Sequence, residues 1–385
     1  MSITNDRLQS TNPLSEKTGS HSELSHRLSD ERRERAMSLV DIALESVNAY
    51  KATTRALRSL RDQIPLEGCT LFAFGKAALP MAQAALNEVK VKQGIVHCFE
   101  SGKLGPLKLV RSAHPFPAPD AAERGEELLA LARSLSAGEV ALCLISGGGS
   151  SMLERPRDGI SLEFILAESE RMMKSGADIK TLNQRRRELS MIKGGGLSSA
   201  LSPATVINVI ISDTPGAPLE TVASGPSLPA DYTVIAADHL TMRDAVLKAA
   251  PELRPFEELM SGEARDLGRQ FSQLKAGFVA TGETTVTVRG HGRGGRNHEL
   301  ILGALDEWKL RGQGNGLLLS IGSDGIDGSS DAAGAWCDER LLSRAPSPER
   351  ALMENNSHQY FNSLGAQIIT GPTGTNVADL VISLP

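Results

Sequence analysis

Three turns of the chain carry residue types that could do chemistry. Residues 146–151 read SGGGSS, Lys76 follows Gly75, and Asp213 follows Ser212, each after an apolar run. Small residues let backbone amides surround a phosphate, a lysine supplies a point charge to it, and an aspartate can hold Mg²⁺. A structural protein could use any small residue at such turns, so several chemically equipped turns favour an active site.

The SGGGSS loop (residues 146–151) indicates an anion site more strongly than a plain strand-to-helix turn. Its four consecutive small residues exceed what a turn needs, and amides at a helix start point at phosphate. It is not a Walker A loop, because G-x-x-x-x-G-K-[ST] does not occur in the sequence. The residues predicted to bind nucleotide or phosphate are Ser146, Gly147, Gly148, Gly149 and Ser150.

A basic segment follows at 180–193. Its cations are Lys180, Arg185, Arg186, Arg187 and Lys193. Such a helix is usually a solvated face, and the alternative is a cationic wall that attracts an acidic substrate. On the second interpretation, we predict that Arg186 contacts the substrate and that Lys193 contacts the nucleotide or its phosphates.

The C-terminal third contains a second glycine-rich segment, GHGRGGRN. It includes a formal G-x-G-x-x-G match from Gly290 to Gly295, which alone is weak support for dinucleotide binding. The preceding run, TTVTVRG, alternates in polarity, whereas that fingerprint normally follows a buried strand. Arg293 and Arg296 instead suggest direct charge contact with a phosphate or carboxylate.

Three aspartates, Asp213, Asp324 and Asp327, each follow an apolar strand-like run. Mg²⁺ is typically held by one or two carboxylates together with phosphates and water, whereas any of the three could equally cap a helix. We predict Asp213 and Asp324 as metal ligands, and Asp213 also as a catalytic residue. Zinc is not expected, because H-E-x-x-H and C-x-x-C are both absent from the sequence.

The composition narrows the class of protein. The 385 residues carry a net charge of -5 and the pI is near 6.0, so no excess of basic residues is available to neutralise nucleic acid. No stretch approaches the ~18 apolar residues of a membrane span, and the N-terminus lacks a signal-peptide segment. We therefore expect a cytoplasmic enzyme with no nucleic-acid or membrane partner.

The apolar runs predict an α/β fold. Four runs alternate with helix-like stretches and are apolar on both faces, as in a parallel sheet covered on both sides: TLFAFGKAA, GIVHCFESG, VALCLISGGGSS and TVINVIISDTPG. We predict a disordered polar tail at 1–28, a Rossmann-like N-terminal domain with a mostly parallel sheet at 29–250, and a C-terminal α/β domain with a mixed sheet at 251–385. Ligands would bind at the carboxyl ends of the parallel strands.

Local patterns add further expectations. Ser29 is a plausible N-cap of the first helix, since acids follow it. The alternation in TTVTVRG predicts a half-buried antiparallel strand, and 231–274 is interpreted as a mainly helical connector. The segment GHGRGGRNHEL is expected to open a helix.

With these segments assembled, the chain resembles the glycerate 2-kinase family, the class II glycerate kinases with a C-terminal MOFRL domain. The matching stretches run in family order along nearly the whole chain except the tail. They are FGKAALPMA, SAHPFPAPD, LISGGGSSML, SGADIKTLNQRRRELSMIKGGGL, ISDTPG with VASGPS, TGETTVTVRGHGRGGRNHEL, SDGIDGSSDAAGAW and ITGPTGTNVADL. They are specific jointly rather than singly.

The resemblance implies a MOFRL domain as the second α/β unit and an active site in the cleft between the two domains. It implies ATP-dependent phosphorylation of D-glycerate at its 2-hydroxyl, with Mg²⁺, giving 2-phosphoglycerate and ADP. The family lysine of FGK matches Lys76, the arginine of GGRN matches Arg296, and the aspartate of S-D-x-P-G matches Asp213. We predict that Lys76 and Arg296 bind substrate and act on the reacting phosphoryl group from opposite walls.

Several positions depart from the family pattern, and two of these departures bear on metal and substrate contacts: the loss of charge after Gly216, and Glu188 in place of the family histidine. The departing positions are Ala217 and Pro218 after the S-D-x-P-G motif, Arg185, Glu188, Gly196, His298 and Asn356. Two other functions stay open: an NAD(P)H-dependent hydroxypyruvate reductase, a label that some relatives carry, and a non-catalytic sugar-acid-binding protein. The oligomeric state, monomer or homodimer, is also left open.

Overall fold

Two β-sheets with flanking helices make up the fold in the computed structural model, which describes residues 21–61, 63–64, 66–176 and 179–385. The strands of the first sheet are β1 (Cys69–Phe74), β2 (Val91–Cys98), β3 (Gly102–Leu104), β4 (Leu107–Arg111), β5 (Val140–Ile145), β6 (Thr205–Ile211) and β7 (Tyr232–Ala237). Their spatial order is β3-β4-β2-β1-β5-β6-β7, and every neighbouring pair is parallel except β3 with β4.

The central strands of this sheet confirm the predicted parallel arrangement. All six residues of β1 are buried, and β5 and β6 are buried along all but their first residue. Strands covered by helices on both faces need apolar side chains in both directions, which is why these runs do not alternate in polarity. Because neighbouring strands run the same way, their carboxyl ends meet at one edge of the sheet.

The second sheet is mixed, also as predicted. Its strands are β8 (Arg254–Pro255), β9 (Phe278–Gly282), β10 (Leu317–Gly322), β11 (Gly334–Cys337), β12 (Gln367–Ile368) and β13 (Asp379–Leu384). They lie in the order β12-β11-β10-β13-β9-β8, and the pairs are antiparallel apart from β8 with β9.

Helices cover both sheets. They are α1 (His21–Ser46), α2 (Ala49–Arg61), α3 (Ala78–Glu88), α4 (Ala121–Arg133), α5 (Gly149–Met152), α6 (Leu162–Lys174), α7 (Ile179–Leu189), α8 (Gly196–Leu201), α9 (His239–Ala249), α10 (Ala264–Gln273), α11 (Arg296–Arg311), α12 (Glu339–Arg344), α13 (Glu349–Met353) and α14 (Ser357–Leu364), with a 3₁₀ segment at Leu219–Ser224. Within the described ranges, no helix is long and apolar enough to cross a membrane.

The first helix differs from its prediction. It begins at His21, so Ser29 lies inside it rather than at its N-cap. Of the polar tail predicted at 1–28, residues 1–20 lie outside the described residues, and residues 21–28 belong to this helix. The Ser29 hydroxyl donates to Asp338, and Arg33 lies 5.5 Å from the ring centre of Trp336. Helix α1 therefore contacts the C-terminal half, where it packs against β10 and β13 of the second sheet. It also packs against α9.

Two segments near the boundary between the halves also differ from the expectations. TTVTVRG is not a strand: it forms one isolated bridge, between Glu263 and Thr285, and is otherwise irregular. Its alternation reflects an exposed loop with Thr284 turned inward. Tyr232–Ala237, interpreted as part of a helical connector, is the edge strand β7. Most of its side chains are exposed or half-buried, so it lacks the run of residues buried on both faces that identified the other strands.

A buried histidine in β2 gives a prediction about stability. His97 is fully buried, with Nδ1 3.1 Å from Ser112 Oγ, and burial lowers its pKa to about 4. The unfolded chain takes up this proton near pH 6.5, so the stability contributed by neutral His97 is complete above that pH and is lost as pH falls towards 4. At about 1.4 kcal/mol for each pKa unit, roughly 3 kcal/mol of unfolding free energy depends on this group.

Denaturant unfolding at several pH values measures this effect. We expect the unfolding free energy of the wild type to fall between pH 6.5 and 4 more steeply than that of His97→Gln, which has no titrating ring. Parallel pH profiles for the two proteins would contradict the assignment.

Candidate active site

The turn that carries Lys76 is bound directly to the SGGGSS loop, because β1 and β5 are neighbours. Ser146 N donates to Phe74 O at 3.1 Å, and Lys76 N donates to Gly147 O at 2.9 Å. Ser146 Oγ accepts a further hydrogen bond from Ala77 N at 3.0 Å. The two predicted anion-binding turns are therefore held together at the carboxyl edge of the first sheet.

The Lys76 side chain is exposed and lies beside the glycines. A Cβ placed on Gly148 would come within 3.0 Å of Lys76 Cγ and 3.3 Å of His114 Nδ1. Gly148 also has a φ of 79°, so a larger residue is excluded there on both counts. His114 Nδ1 lies 2.8 Å from Ser151 Oγ. The loop thus leaves open a small polar surface bordered by the lysine and the histidine.

Asp213 lies directly behind the glycine loop, after the end of β6. Its carboxylate occupies the space that a Cβ on Gly147 would need, so the loop packs on the carboxylate itself. Burial raises the pKa of Asp213, the charge of Lys76 acts against that shift, and the charge of Glu283 adds to it. Charged groups from both halves of the chain therefore act on the Asp213 carboxylate.

Arg296 is the first residue of α11 and is held by two acids. Its Nε donates to Asp379 Oδ2 at 2.6 Å and its Nη2 to Asp379 Oδ1 at 3.1 Å, while Nη1 donates to Glu283 Oε1 at 2.5 Å. Burial raises the pKa of Asp379 to about 7, and Arg296 and Asn297 act in the opposite direction. The bidentate contact fixes the plane of the guanidinium, and the arm towards Glu283 is the more exposed one.

The start of α11 is set by Asp327, which caps the helix from a distant loop. Its carboxylate accepts hydrogen bonds from Asn297 N at 3.0 Å and His298 N at 2.8 Å, and lies 2.5 Å from His298 Nδ1. Each carboxylate oxygen of Asp327 therefore accepts from a backbone N–H of the first helical turn, which has no partner within the helix. Of the two interpretations considered for Asp327, metal ligand or cap, the contacts favour the cap, which positions the neighbouring Arg296.

Asp324 lines a cavity of about 900 Å³ in the C-terminal half, together with Glu283, Arg296 and the loop before α11. One of its oxygens, Oδ1, accepts from Ile326 N at 3.1 Å. No cluster of three or more metal-ligating side chains occurs in the described part of the chain. Any Mg²⁺ there would rely on one or two carboxylates and on oxygens of its substrate, which is common for this ion.

A second cavity, of about 410 Å³, lies in the N-terminal half beside the SGGGSS loop, and both Arg186 and Lys193 line it. Lys193 is buried and forms an ion pair with the buried Glu154, and it lies 3.4 Å from Leu153 O. Burial lowers the pKa of Lys193 against the opposing effect of Glu154. Arg186 is only half-buried, and its Nε donates to Ser169 Oγ at 3.3 Å.

The predicted site residues thus fall into three groups. The first contains Lys76, Asp213 and the glycines of the loop; the second contains Arg296 and Asp324; the third contains Arg186 and Lys193, next to Ser150. Sequence reasoning missed the acids that hold the cations, Glu154, Glu283 and Asp379. Asp379 opens a strand that is otherwise apolar except at Ser383, and a buried acid at such a position needs a cationic partner, which was the available signal.

Comparison with known proteins identifies the family of the chain. The family model described as a domain of unknown function (DUF4147) matches residues 35–254, and the MOFRL family model matches residues 276–379. A protein named D-glycerate 2-kinase from Thermotoga maritima is 31% identical over 90% of this chain and 97% of its own length. A protein of Agrobacterium vitis that carries a hydroxypyruvate reductase name is 30% identical over 81% of this chain and 98% of its own.

A solved structure shares the fold as well. The crystal structure of a glycerate kinase from Thermotoga maritima matches with a TM-score of 0.85 and 29% identity, covering 92% of this chain and 99% of that one. The relatives therefore span both halves of the chain rather than one domain. This chain belongs to the glycerate 2-kinase family and is an enzyme of the kinase class.

Proposed function

We propose that this enzyme uses ATP to phosphorylate D-glycerate at its 2-hydroxyl, giving 2-phosphoglycerate and ADP, at a site between the two halves. The observation that carries the proposal is the position of Asp213. Its carboxylate lies against Gly147 of the glycine loop, and the charges of Lys76 and of Glu283, the ion-pair partner of Arg296, both act on its pKa. Charged side chains from both halves of the chain, Lys76 and Glu283, therefore act on one carboxylate.

This arrangement suits phosphoryl transfer, in which positioning and charge neutralisation carry most of the catalysis. The backbone of the SGGGSS loop binds phosphate oxygens, and Lys76 neutralises charge on the reacting group. Arg296 offers a second cation once a phosphate replaces Glu283 at Nη1. That exchange costs little, because a solvent-exposed ion pair contributes only about 0–1 kcal/mol.

Asp213 and Asp324 are the residues that would hold Mg²⁺. Their carboxylate oxygens are the ligand type this ion prefers, and Asp324 lines the same cavity as Arg296. The ion would neutralise charge on the phosphates when bound. Burial raises the pKa of Asp213, and a bound cation would act in the opposite direction and keep its carboxylate ionised.

The G-x-G-x-x-G match, the one motif that could indicate a reductase, does not have the surroundings of a dinucleotide site. Glycines of the G-x-G-x-x-G match serve packing: Gly290 lies against the backbone of Glu354, Gly292 against Asn356, and Gly295 against Asp327. A dinucleotide fingerprint needs such glycines free to approach a pyrophosphate after a buried strand. The segment before them is irregular, so no specific contact favours a nicotinamide cofactor here.

Product formation tests the proposed reaction. We expect ADP to form from ATP only when both D-glycerate and Mg²⁺ are present, and EDTA to abolish turnover until Mg²⁺ is restored. Under the same conditions, hydroxypyruvate should not cause NADH oxidation above background. Loss of NADH absorbance with hydroxypyruvate would support the reductase, and binding of glycerate without any ADP formation would support a non-catalytic sugar-acid-binding protein.

A further inference from the structure

The proposed reaction gives no role to the second cavity, which lies beside the SGGGSS loop. It is lined by Ser150 and Ser151 at the end of that loop, so a molecule in it would be continuous with the phosphate-binding surface. Resting on the proposed kinase function, we propose that this cavity binds the purine nucleoside part of the nucleotide. The phosphates then pass over the two serines towards Lys76.

The lining of the cavity fits a base better than glycerate. Helix α6 contributes the apolar side chains of Ile165, Leu166 and Met173, and the loop before α4 contributes Phe116 between two prolines. Each carbon of glycerate carries oxygen, so hydrocarbon walls would leave its polar groups without partners. A purine ring has large apolar faces and a few polar edges, and 410 Å³ lies within the range of cavities that enclose ligands of this size.

Phe116 marks the opening of the cavity. Its side chain is 66% exposed, although a single exposed aromatic residue is not a signal on its own. Here the ring borders an apolar cavity and lies two residues after His114, which contacts the loop through Ser151. Aromatic rings stack readily on the face of any base, so Phe116 is placed to cover a bound purine.

The polar groups of the cavity are matched to a nucleotide as well. Lys193 and Glu154 satisfy each other at the buried end, whereas Arg186 has no acidic side chain within ion-pair distance among the described residues. The charge of Glu154 acts on Arg186, and the half-buried guanidinium still has N–H groups that can donate to a phosphate or a sugar hydroxyl. In this proposal Arg186 therefore serves the nucleotide rather than glycerate, which was its predicted partner.

Two substitutions in the full-length enzyme test the subsite. Phe116→Ala removes the stacking ring, and Leu166→Trp fills the cavity from its half-buried wall. Phe164→Ala is the matched control, because Phe164 is also exposed, at 48%, but does not line the cavity. Thermal unfolding of each variant verifies that it folds.

We expect each test variant to raise KM for ATP by about tenfold, the scale of losing one stacked base, and to leave KM for D-glycerate within about twofold. Calorimetric titration with ATP alone should show the same weakening, and Phe164→Ala should match the wild type in both assays. Unchanged ATP affinity in a folded Leu166→Trp protein, or a rise confined to KM for D-glycerate, would overturn the proposal.

The two proposals can fail separately. An enzyme that binds ATP through this cavity but forms no ADP with D-glycerate retains the subsite and loses the proposed reaction. An enzyme that turns over normally while both substitutions leave ATP binding unchanged retains the reaction and loses the subsite.

Discussion

Lys76→Ala is expected to lower kcat by about 10²-fold or more, the scale of removing one pre-organised electrostatic donor. The Lys76 backbone is fixed by the hydrogen bond to Gly147 O, so its exposed side chain reaches the phosphate surface from a rigid turn. A cation acting on the transferred group stabilises the transition state more than the free substrates. Steady-state kinetics with saturating ATP and D-glycerate measure the effect directly.

The matched control for this substitution is Lys103→Ala. Lys103 is also exposed, but it lies on β3, the edge strand at the opposite side of the sheet from β6. Near-normal turnover in folded Lys76→Ala, equal to that of Lys103→Ala, would show that Lys76 is an ordinary surface lysine.

Arg296→Lys is expected to lower kcat by about 10²-fold as well, because a point charge replaces a planar fork. Lysine cannot hold both oxygens of Asp379 while it also reaches towards a phosphate in the position of Glu283. We chose lysine because Arg296→Ala would leave Asp379 buried without a cation, and breaking such a pair typically costs about 3–5 kcal/mol of stability. Kinetics and thermal unfolding of the same preparations separate the two effects.

Arg293→Ala is the control for this second substitution. Arg293 belongs to the same glycine-rich segment, but its guanidinium donates only to Ser329 O among its described contacts, at 3.2 and 3.1 Å. We expect its removal to change turnover much less. A folded Arg296→Lys enzyme with the kinetics of Arg293→Ala would remove Arg296 from the reaction.

The core of the first sheet was predictable because burial on two faces leaves an unmistakable apolar run. That signal located β1, β2, β5 and β6 and, with them, the edge where Lys76 and Asp213 meet. It failed for β7, whose exposed positions mix polar and apolar residues as a sheet edge does. A different pattern, alternating polarity, wrongly predicted a strand in TTVTVRG. This segment is a loop that follows β9 and does not pair with it.

The site was predictable only as far as local sequence determines it. Neighbouring parallel strands bring their carboxyl ends together, so the glycine loop and Asp213 could be placed side by side. The pairing of Arg296 with Asp379 joins residues 83 positions apart, and that of Lys193 with Glu154 joins residues 39 apart. Nothing in either local pattern identifies the partner, because tertiary packing within each half of the chain brings each pair together.

The position of the new phosphate can be read with enolase, because enolase converts 2-phosphoglycerate to phosphoenolpyruvate directly, whereas 3-phosphoglycerate first needs a mutase. The enzyme is incubated with ATP, Mg²⁺, D-glycerate and enolase, and phosphoenolpyruvate is followed with and without added mutase. We predict that phosphoenolpyruvate forms without added mutase. Formation that begins only after mutase is added would place the phosphate on the 3-hydroxyl and contradict the account.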